Sequence, residues 1–491
     1  LTWTSTADTH YKLKFAMGSS VEYSREFTIN FGAPHHFTID WAADSDTAIR
    51  SGATMSAQPK ILVYDYKGNH LPSTGITFNP ALINAPQGAT LTTGSATANS
   101  DNDAQFSGMS LLGPTGSYKI RFSAVATDTG LPVHNTTVDS ELFTLSHGLA
   151  NKLAVTTSAS GAKAGQYFSI QPKITVQDAQ GNTVSGDVTR IKATILDSNG
   201  SAPTWAVWRD ESRATADSSA GVIDFGASND AKLGFSGKAG SYQIVYTIID
   251  AGTGLQVAGT ETATQNITVS PGPAAKLVVT QGPPSSIGAG VTFTSSPRVK
   301  LQDEFANDIT DDNASTVTMT LVNGATDALS QVANTSATTV TVSNGVATFA
   351  ATSFAPDLGT NYRLRFQLDS KTAPTGQVAS EQFEIKAGVP ATLEWFSSST
   401  KPNANYINNA VMRSAVTGDV LLRVKDAYGN TVSDNSVATT VTVTVRTAGG
   451  AVTSITGNTA ASVDGVVTFD NLKLRAKVSN YVLRFTATNS G

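Results

Sequence analysis

The sequence predicts an all-β chain of tandem sandwich domains. Three observations carry this. Segments alternate apolar and polar residues at period two, helical periodicity is almost absent, and five short motifs recur in constant order roughly every 115–125 residues. In "HYKLKF", Tyr11, Leu13 and Phe15 share one face and Lys12 and Lys14 the other. That is the pattern of a half-buried antiparallel strand. About seven such strands per repeat, with turn residues between them, read as a β-sandwich.

The first motif is Asp-x-x-Gly-Asn. It occurs as "VYDYKGNHLPS" with Asp65, "VQDAQGNTVSGD" with Asp178 and "VKDAYGNTVSD" with Asp426. A fourth copy, "LQDEFANDIT" with Asp303, carries Ala306 in place of glycine. A catalytic loop is seldom copied along one chain, whereas a structural turn is copied as often as its domain. Asp at the first position accepts a backbone N–H, and Gly three residues later takes a positive φ without steric cost. In the copy with Ala306, Asn307 is expected to take the left-handed position.

The other motifs keep step. Gly-x-Tyr segments place Tyr118, Tyr242, Tyr362 and Tyr481 near the penultimate strand, with Tyr11 as a fifth copy. These positions suit a tyrosine corner, with a buried ring and a hydroxyl bonded back to the backbone. "GVIDF", "GVATF" and "GVVTF" precede three of them, and the repeat from Pro34 has "DAQFSGM" instead. "SREFTINFG", "SELFTLSHG", "TQNITVSPG" and "SEQFEIKAG" close one repeat, and "HHFTIDW", "NKLAVTT", "AKLVVTQ" and "ATLEWFS" open the next.

The expected domains are 34–149, 150–272, 273–388 and 389–491, with 1–33 supplying the last strands of a preceding domain. The joints are short: Gly32-Ala33-Pro34, Gly148-Leu149-Ala150, Gly272-Pro273-Ala274 and Gly388-Val389-Pro390. A few residues with proline restrict swing. A semi-rigid, elongated array on the order of 160 Å long is expected from strand dimensions. The final domain lacks a closing strand after "NYVLRFTATNSG". Two explanations compete: a window cut from a longer chain, which is favoured, and strand exchange between subunits.

Composition narrows the function. The 491 residues carry a net charge of −5, and only 14% are charged. No basic face is available to follow a phosphate backbone, which argues against nucleic acid. The absence of cysteine excludes a disulfide scaffold and a thiolate metal site. No apolar run is long enough for a transmembrane helix. The six histidines are His10, His35, His36, His70, His134 and His147. None has metalloprotease spacing, and His35-His36 reads as a solvated linker. No nucleophile elbow or phosphate-binding loop occurs, so no catalytic residue is assigned.

Together the motifs resemble bacterial immunoglobulin-like domains, which occur in tandem in invasin- and intimin-like adhesins and in surface-layer (S-layer) proteins. The resemblance covers almost the whole chain from Ala33. It implies tandem immunoglobulin-like sandwiches in an extracellular, cell-surface, non-enzymatic structural protein.

Calcium is the most plausible ligand. "NDITDDN" gathers Asp308, Asp311, Asp312 and Asn313, and calcium takes six to eight oxygens. The resemblance adds support, since calcium rigidifies surface lattices. The same loop offers Asp187 in the second repeat and Asp434 and Asn435 in the fourth. Asp44, Asp46, Asp101 and Asp103 form two further pairs. The competing reading is an ordinary Asx-rich loop. In the long insertion of the second repeat, Trp205, Trp208 and Arg209 are candidate interface anchors, unless they cap their own sandwich. Sequons at Asn135, Asn199, Asn266, Asn313 and Asn334 arise readily by chance in so Ser- and Thr-rich a chain.

The favoured function is an S-layer lattice or surface filament, self-associating with copies of the same protein and open to other envelope components. The runner-up is the stalk of a large adhesin. A third class is the spacer region of a secreted polysaccharide-degrading enzyme.

Overall fold

The computed structural model describes residues 11–41, 49–71, 75–98, 103–125, 136–323, 330–331, 338–351, 353–354, 358–371, 376–398, 401–402, 410–412, 419–435, 438–448, 452–477 and 479–489. Strands make up 52% of it. Such helix as occurs among these residues is in short 3-10 turns such as Glu211–Ala214. The fold is a tandem series of immunoglobulin-like β-sandwiches. The chain divides into two compact units, Leu1–Ser270 and Pro271–Gly491.

In the first unit, Pro34–Asp40, Lys60–Asp65 and Ala104–Gln105 form one sheet. Facing it, Thr137–Asp139, Ile120–Val125, Thr77–Leu82 and Ala96–Thr97 form another. Strand alternation packs the space between. Ile61 and Val63 from one sheet meet Phe78, Ile120 and Phe122 from the other, all at 0% exposure. The same plan recurs downstream with Lys152–Thr157, Lys173–Gln177 and Val222–Asp224 opposite a five-stranded sheet centred on Gly240–Ile248.

The second unit repeats it. Lys276–Gln281, Arg298–Gln302 and Val346–Thr348 oppose the sheet containing Gly359–Leu368 and Thr316–Asn323. Further on, Pro390–Trp395, Val420–Asp426 and Val466–Phe469 are joined through Thr459–Val463 to Thr439–Ala448 and Tyr481–Asn489.

A strand that changes sheets recurs as well. After three of the opening strands a short segment pairs in parallel with the closing strand. Ile49 lies beside Leu145, Ala162 beside Val269, and Ile287 beside Ile385. This parallel pair seals the sandwich edge.

The repeated tyrosines share one register. Tyr118 faces Phe143, Tyr242 faces Ile267 and Tyr362 faces Phe383 on the closing strand. Tyr11 bridges Phe27 in the same way, beside a hairpin of Lys14–Met17 and Ser20–Tyr23. The serine of the closing motif has a fixed task too. The hydroxyls of Ser24, Ser140 and Ser380 accept the N–H of Leu13, Ile120 and Leu364, two residues beyond each tyrosine.

The tyrosine hydroxyls of Tyr118, Tyr242 and Tyr481 donate to the carbonyls of Pro114, Lys238 and Lys477, at 2.7, 2.8 and 2.6 Å. The partner is always four residues upstream. Burial is less uniform than expected. Tyr118 and Tyr362 are buried under Phe143 and Phe383, with ring centroids 6.3 Å apart in each pair. Tyr242 and Tyr481 are half-buried. Tyr242 faces an isoleucine on its closing strand and leans on Phe235 instead. The strand of Tyr481 is paired on one side only among the described residues.

Tyr118→Phe should therefore destabilise the first sandwich by about 0.5–1.5 kcal/mol, the net worth of one hydrogen bond. Urea unfolding with a local probe in that sandwich measures it.

Candidate functional site

Period-two alternation carries the repeated aspartate to an inward position. In Lys60–Asp65 the buried residues are Ile61, Val63 and Asp65, and in Val420–Asp426 they are Val420, Leu422, Val424 and Asp426. Each aspartate therefore ends a core-facing row, and Asp65, Asp178, Asp303 and Asp426 are 1–2% exposed. A carboxylate in such a place must be met by donors.

Four donors meet it. In the second repeat, Asp178 Oδ1 accepts the N–H of Gln180 and of Asn182, both at 2.9 Å. The Asn182 side-chain amide donates to Oδ2 at 2.8 Å. The fourth donor is remote: the N–H of Gly148, in the linker, reaches Oδ2 at 2.7 Å. The linker contact recurs in every copy. Gly32 donates to Asp65 at 3.0 Å, Gly272 to Asp303 at 2.8 Å and Gly388 to Asp426 at 2.8 Å. The motif is thus a clamp on the incoming chain as well as a turn.

Burial opposes the charge at Asp65, Asp178 and Asp426. The surrounding N–H donors, the linker glycine among them, outweigh it and hold all three below the ordinary carboxylate range.

The turn residue has φ 84° at Gly68, 86° at Gly181 and 84° at Gly429. In the divergent copy Ala306 itself takes φ 59°, which corrects the expectation for Asn307. The reason is that Asn307 is committed: its N–H and its side-chain amide both bind Asp303, at 2.9 and 2.8 Å.

Two of the linker glycines are pinched from the other side too. A Cβ on Gly148 would lie 2.5 Å from the Ser51 carbonyl and 3.3 Å from Asp178 Oδ2. A Cβ on Gly388 would run into the Ala289 carbonyl. Within the first unit this joint is reinforced. Arg50 makes two hydrogen bonds to Asp187, at 2.8 and 3.0 Å. Asn182 donates to the Gly113 carbonyl and accepts the Thr115 N–H. In the second unit, Tyr428, one residue before the turn glycine, packs against Gly290.

The expected calcium ligands are engaged otherwise. Asp308 pairs with Lys300 at 2.8 Å and accepts from Gln302 at 2.7 Å. Asp312 accepts the N–H groups of Ala314 and Ser315 and the Ser315 hydroxyl. Asn313 accepts the Asn344 N–H. Asp311 is exposed. Asp187 serves Arg50, and Asn435 both accepts the Asp464 N–H and donates to its carboxylate. Asp103 is bound to His70 at 2.5 Å. Asp44, Asp46 and Asp101 lie outside the described residues. Among the described residues no three His, Asp or Glu side chains converge on a metal position.

The anchor trio separates. Trp208 is 5% exposed, donates to the Ala193 carbonyl at 3.1 Å and packs edge-on against Phe168, so it caps its own sandwich. Arg209 stacks on Tyr167 at 4.6 Å and donates to the Gly165 carbonyl. Trp205 alone stands out, 76% exposed. His35 and His36 are not a solvated linker: they sit in Pro34–Asp40 against Tyr66 and Tyr64. A cleft of about 370 Å³ beside Asp210 and Arg213 is bridged internally, since Arg213 bonds Asp210 and the Asn229 carbonyl. Among the described residues no helix is long and apolar enough to cross a membrane.

No family model and no curated protein matches the sequence. Solved structures do. FdeC, described as a broadly conserved Escherichia coli adhesin, is 18% identical, with 73% of this chain and 100% of that one covered and a TM-score of 0.31. Invasin, described as a bacterial integrin-binding protein, is 14% identical, with 92% and 78% covered and a TM-score of 0.29. InvD of Yersinia pseudotuberculosis is 17% identical, with 72% and 98% covered and a TM-score of 0.25.

Two outcomes are expected at the clamp. Asp178→Ala should cost on the order of 3 kcal/mol, because buried donors lose a charged acceptor. In the intact chain, hydrogen exchange at Gly148, Gln180 and Asn182 should accelerate. Since the folded carboxylate titrates below the unfolded one, its contribution is complete above about pH 4 and is lost as pH falls through the depressed value. The gap between wild type and Asp178→Ala should thus be constant from pH 8 to about pH 5 and close on further acidification. At the acidic loop, Asp312→Ala should cost about 1 kcal/mol through its lost turn hydrogen bonds. Melting curves with calcium and with chelator should show the same loss.

Proposed function

We propose that this chain is a structural, non-catalytic spacer of a prokaryotic cell-surface protein, extracellular and deployed as the stalk of an adhesin. One observation supports this best: a buried aspartate fixes the linker glycine ahead of every sandwich. A chain whose task is to hold a distance needs its joints set, and here each joint uses the same four-donor clamp. Lattice assembly is the second reading, an S-layer or filament built from copies of the chain. It is favoured by Trp205, an exposed indole beside the exposed Val207, since tryptophan is enriched among interface anchors.

Electron micrographs of the intact chain test the spacer. Particles should be thin and straight, and deletion of 150–272 should shorten them by one domain and leave the remainder folded. Compact or randomly bent particles would refute it. Sedimentation separates the readings: a lattice component should self-associate with rising concentration and lose this with Trp205→Ala, and a stalk should remain monomeric in both forms.

A further inference from the structure

The closing motif ends differently in each copy. Ahead of the clamped glycine stand Phe31, His147, Pro271 and Ala387. Only the joint following the first sandwich therefore carries a titratable side chain at this place.

His147 is 8% exposed. Its Nδ1 lies 2.9 Å from the Gly148 carbonyl, and its Nε2 lies 3.1 Å from the Gly186 nitrogen. A carbonyl can only accept and a backbone N–H can only donate. Nδ1 must therefore carry the proton and Nε2 must accept. The neutral imidazole satisfies both contacts, and the imidazolium sets one N–H against another. Gly186 belongs to the second sandwich, in the loop that also carries Asp187, so this bond spans the joint.

We propose that His147 is a pH-operated catch on the joint between the first and second sandwiches, closed when neutral and released by protonation. Histidine changes charge between pH 5 and 8, so the device suits a surface protein that meets mildly acidic surroundings. The charged groups around the joint are Asp187, hydrogen-bonded to Arg50, and Asp178, which holds the adjacent Gly148 N–H. The hydrogen-bonded Arg50 guanidinium holds Asp187 below the usual carboxylate range, so the Arg50–Asp187 pair survives the same acidification. The loop then stays tethered to the first sandwich, and protonation widens the range of angles at the joint without parting the domains.

This inference rests on the fixed-joint reading of the chain, and the test separates the two. The absence of native cysteine allows spin labels at Gln87→Cys and Asn199→Cys, both exposed positions, in the otherwise intact chain. At pH 7.5 the label-to-label distance distribution should be narrow. At pH 5 it should widen at least twofold, reversibly. His147→Ala should give one width at both pH values. A broad wild-type distribution at pH 7.5 would overturn the fixed joint itself. A narrow distribution unchanged at pH 5, or a pH response that persists in His147→Ala, would overturn the catch alone.

Discussion

A carboxylate at the end of a core-facing row is the constraint on which the rest of the structure turns. The alternation that buries Val63, Val176, Leu301 and Val424 also buries the aspartate two positions later. A buried charge without donors would cost several kcal/mol. The tight turn supplies three donors from its own backbone and from its asparagine. The fourth comes from a glycine 30 to 38 residues upstream. Because the turn cannot be satisfied alone, the entry of each sandwich is fixed by the requirement that stabilises its interior.

The common clamp is dressed differently at different joints. In the first unit an ion pair, an asparagine bridge and a histidine surround it. In the second unit a tyrosine lies against a glycine. These additions are local elaborations on one repeated plan, and they give the joints different chemistry without altering the sandwich.

Much of this was legible in the sequence, because strand alternation and motif order are local. The Tyr118 hydroxyl bond and the Gly181 turn follow from residues a few positions apart. What stayed hidden is contact between distant segments. The linker glycines are visible at 32, 148, 272 and 388, yet nothing local says that their N–H groups meet Asp65, Asp178, Asp303 and Asp426. The recurring offset was the available signal. The acidic loop shows the same limit: composition shows that Asp308, Asp312 and Asn313 are close, and only geometry shows that they bond Lys300, Ser315 and Asn344. Trp205 and Trp208 look alike in the sequence, yet Trp205 lies in the turn before Ala206–Trp208 and is exposed, whereas Trp208 lies in the strand and is buried.

The position of the clamp also defines what can be inherited as a module. A segment beginning at Lys152, where the strand begins, carries Asp178 without Gly148 and so arrives with one of the four donors missing. A segment beginning at the glycine brings the donor along, and the glycine also fits beside the Ser51 and Ala289 carbonyls, where a Cβ would not. Growth by whole repeats in this frame lengthens the chain and leaves every aspartate with its four donors. The regular glycine ahead of every repeat is the trace that such growth would leave.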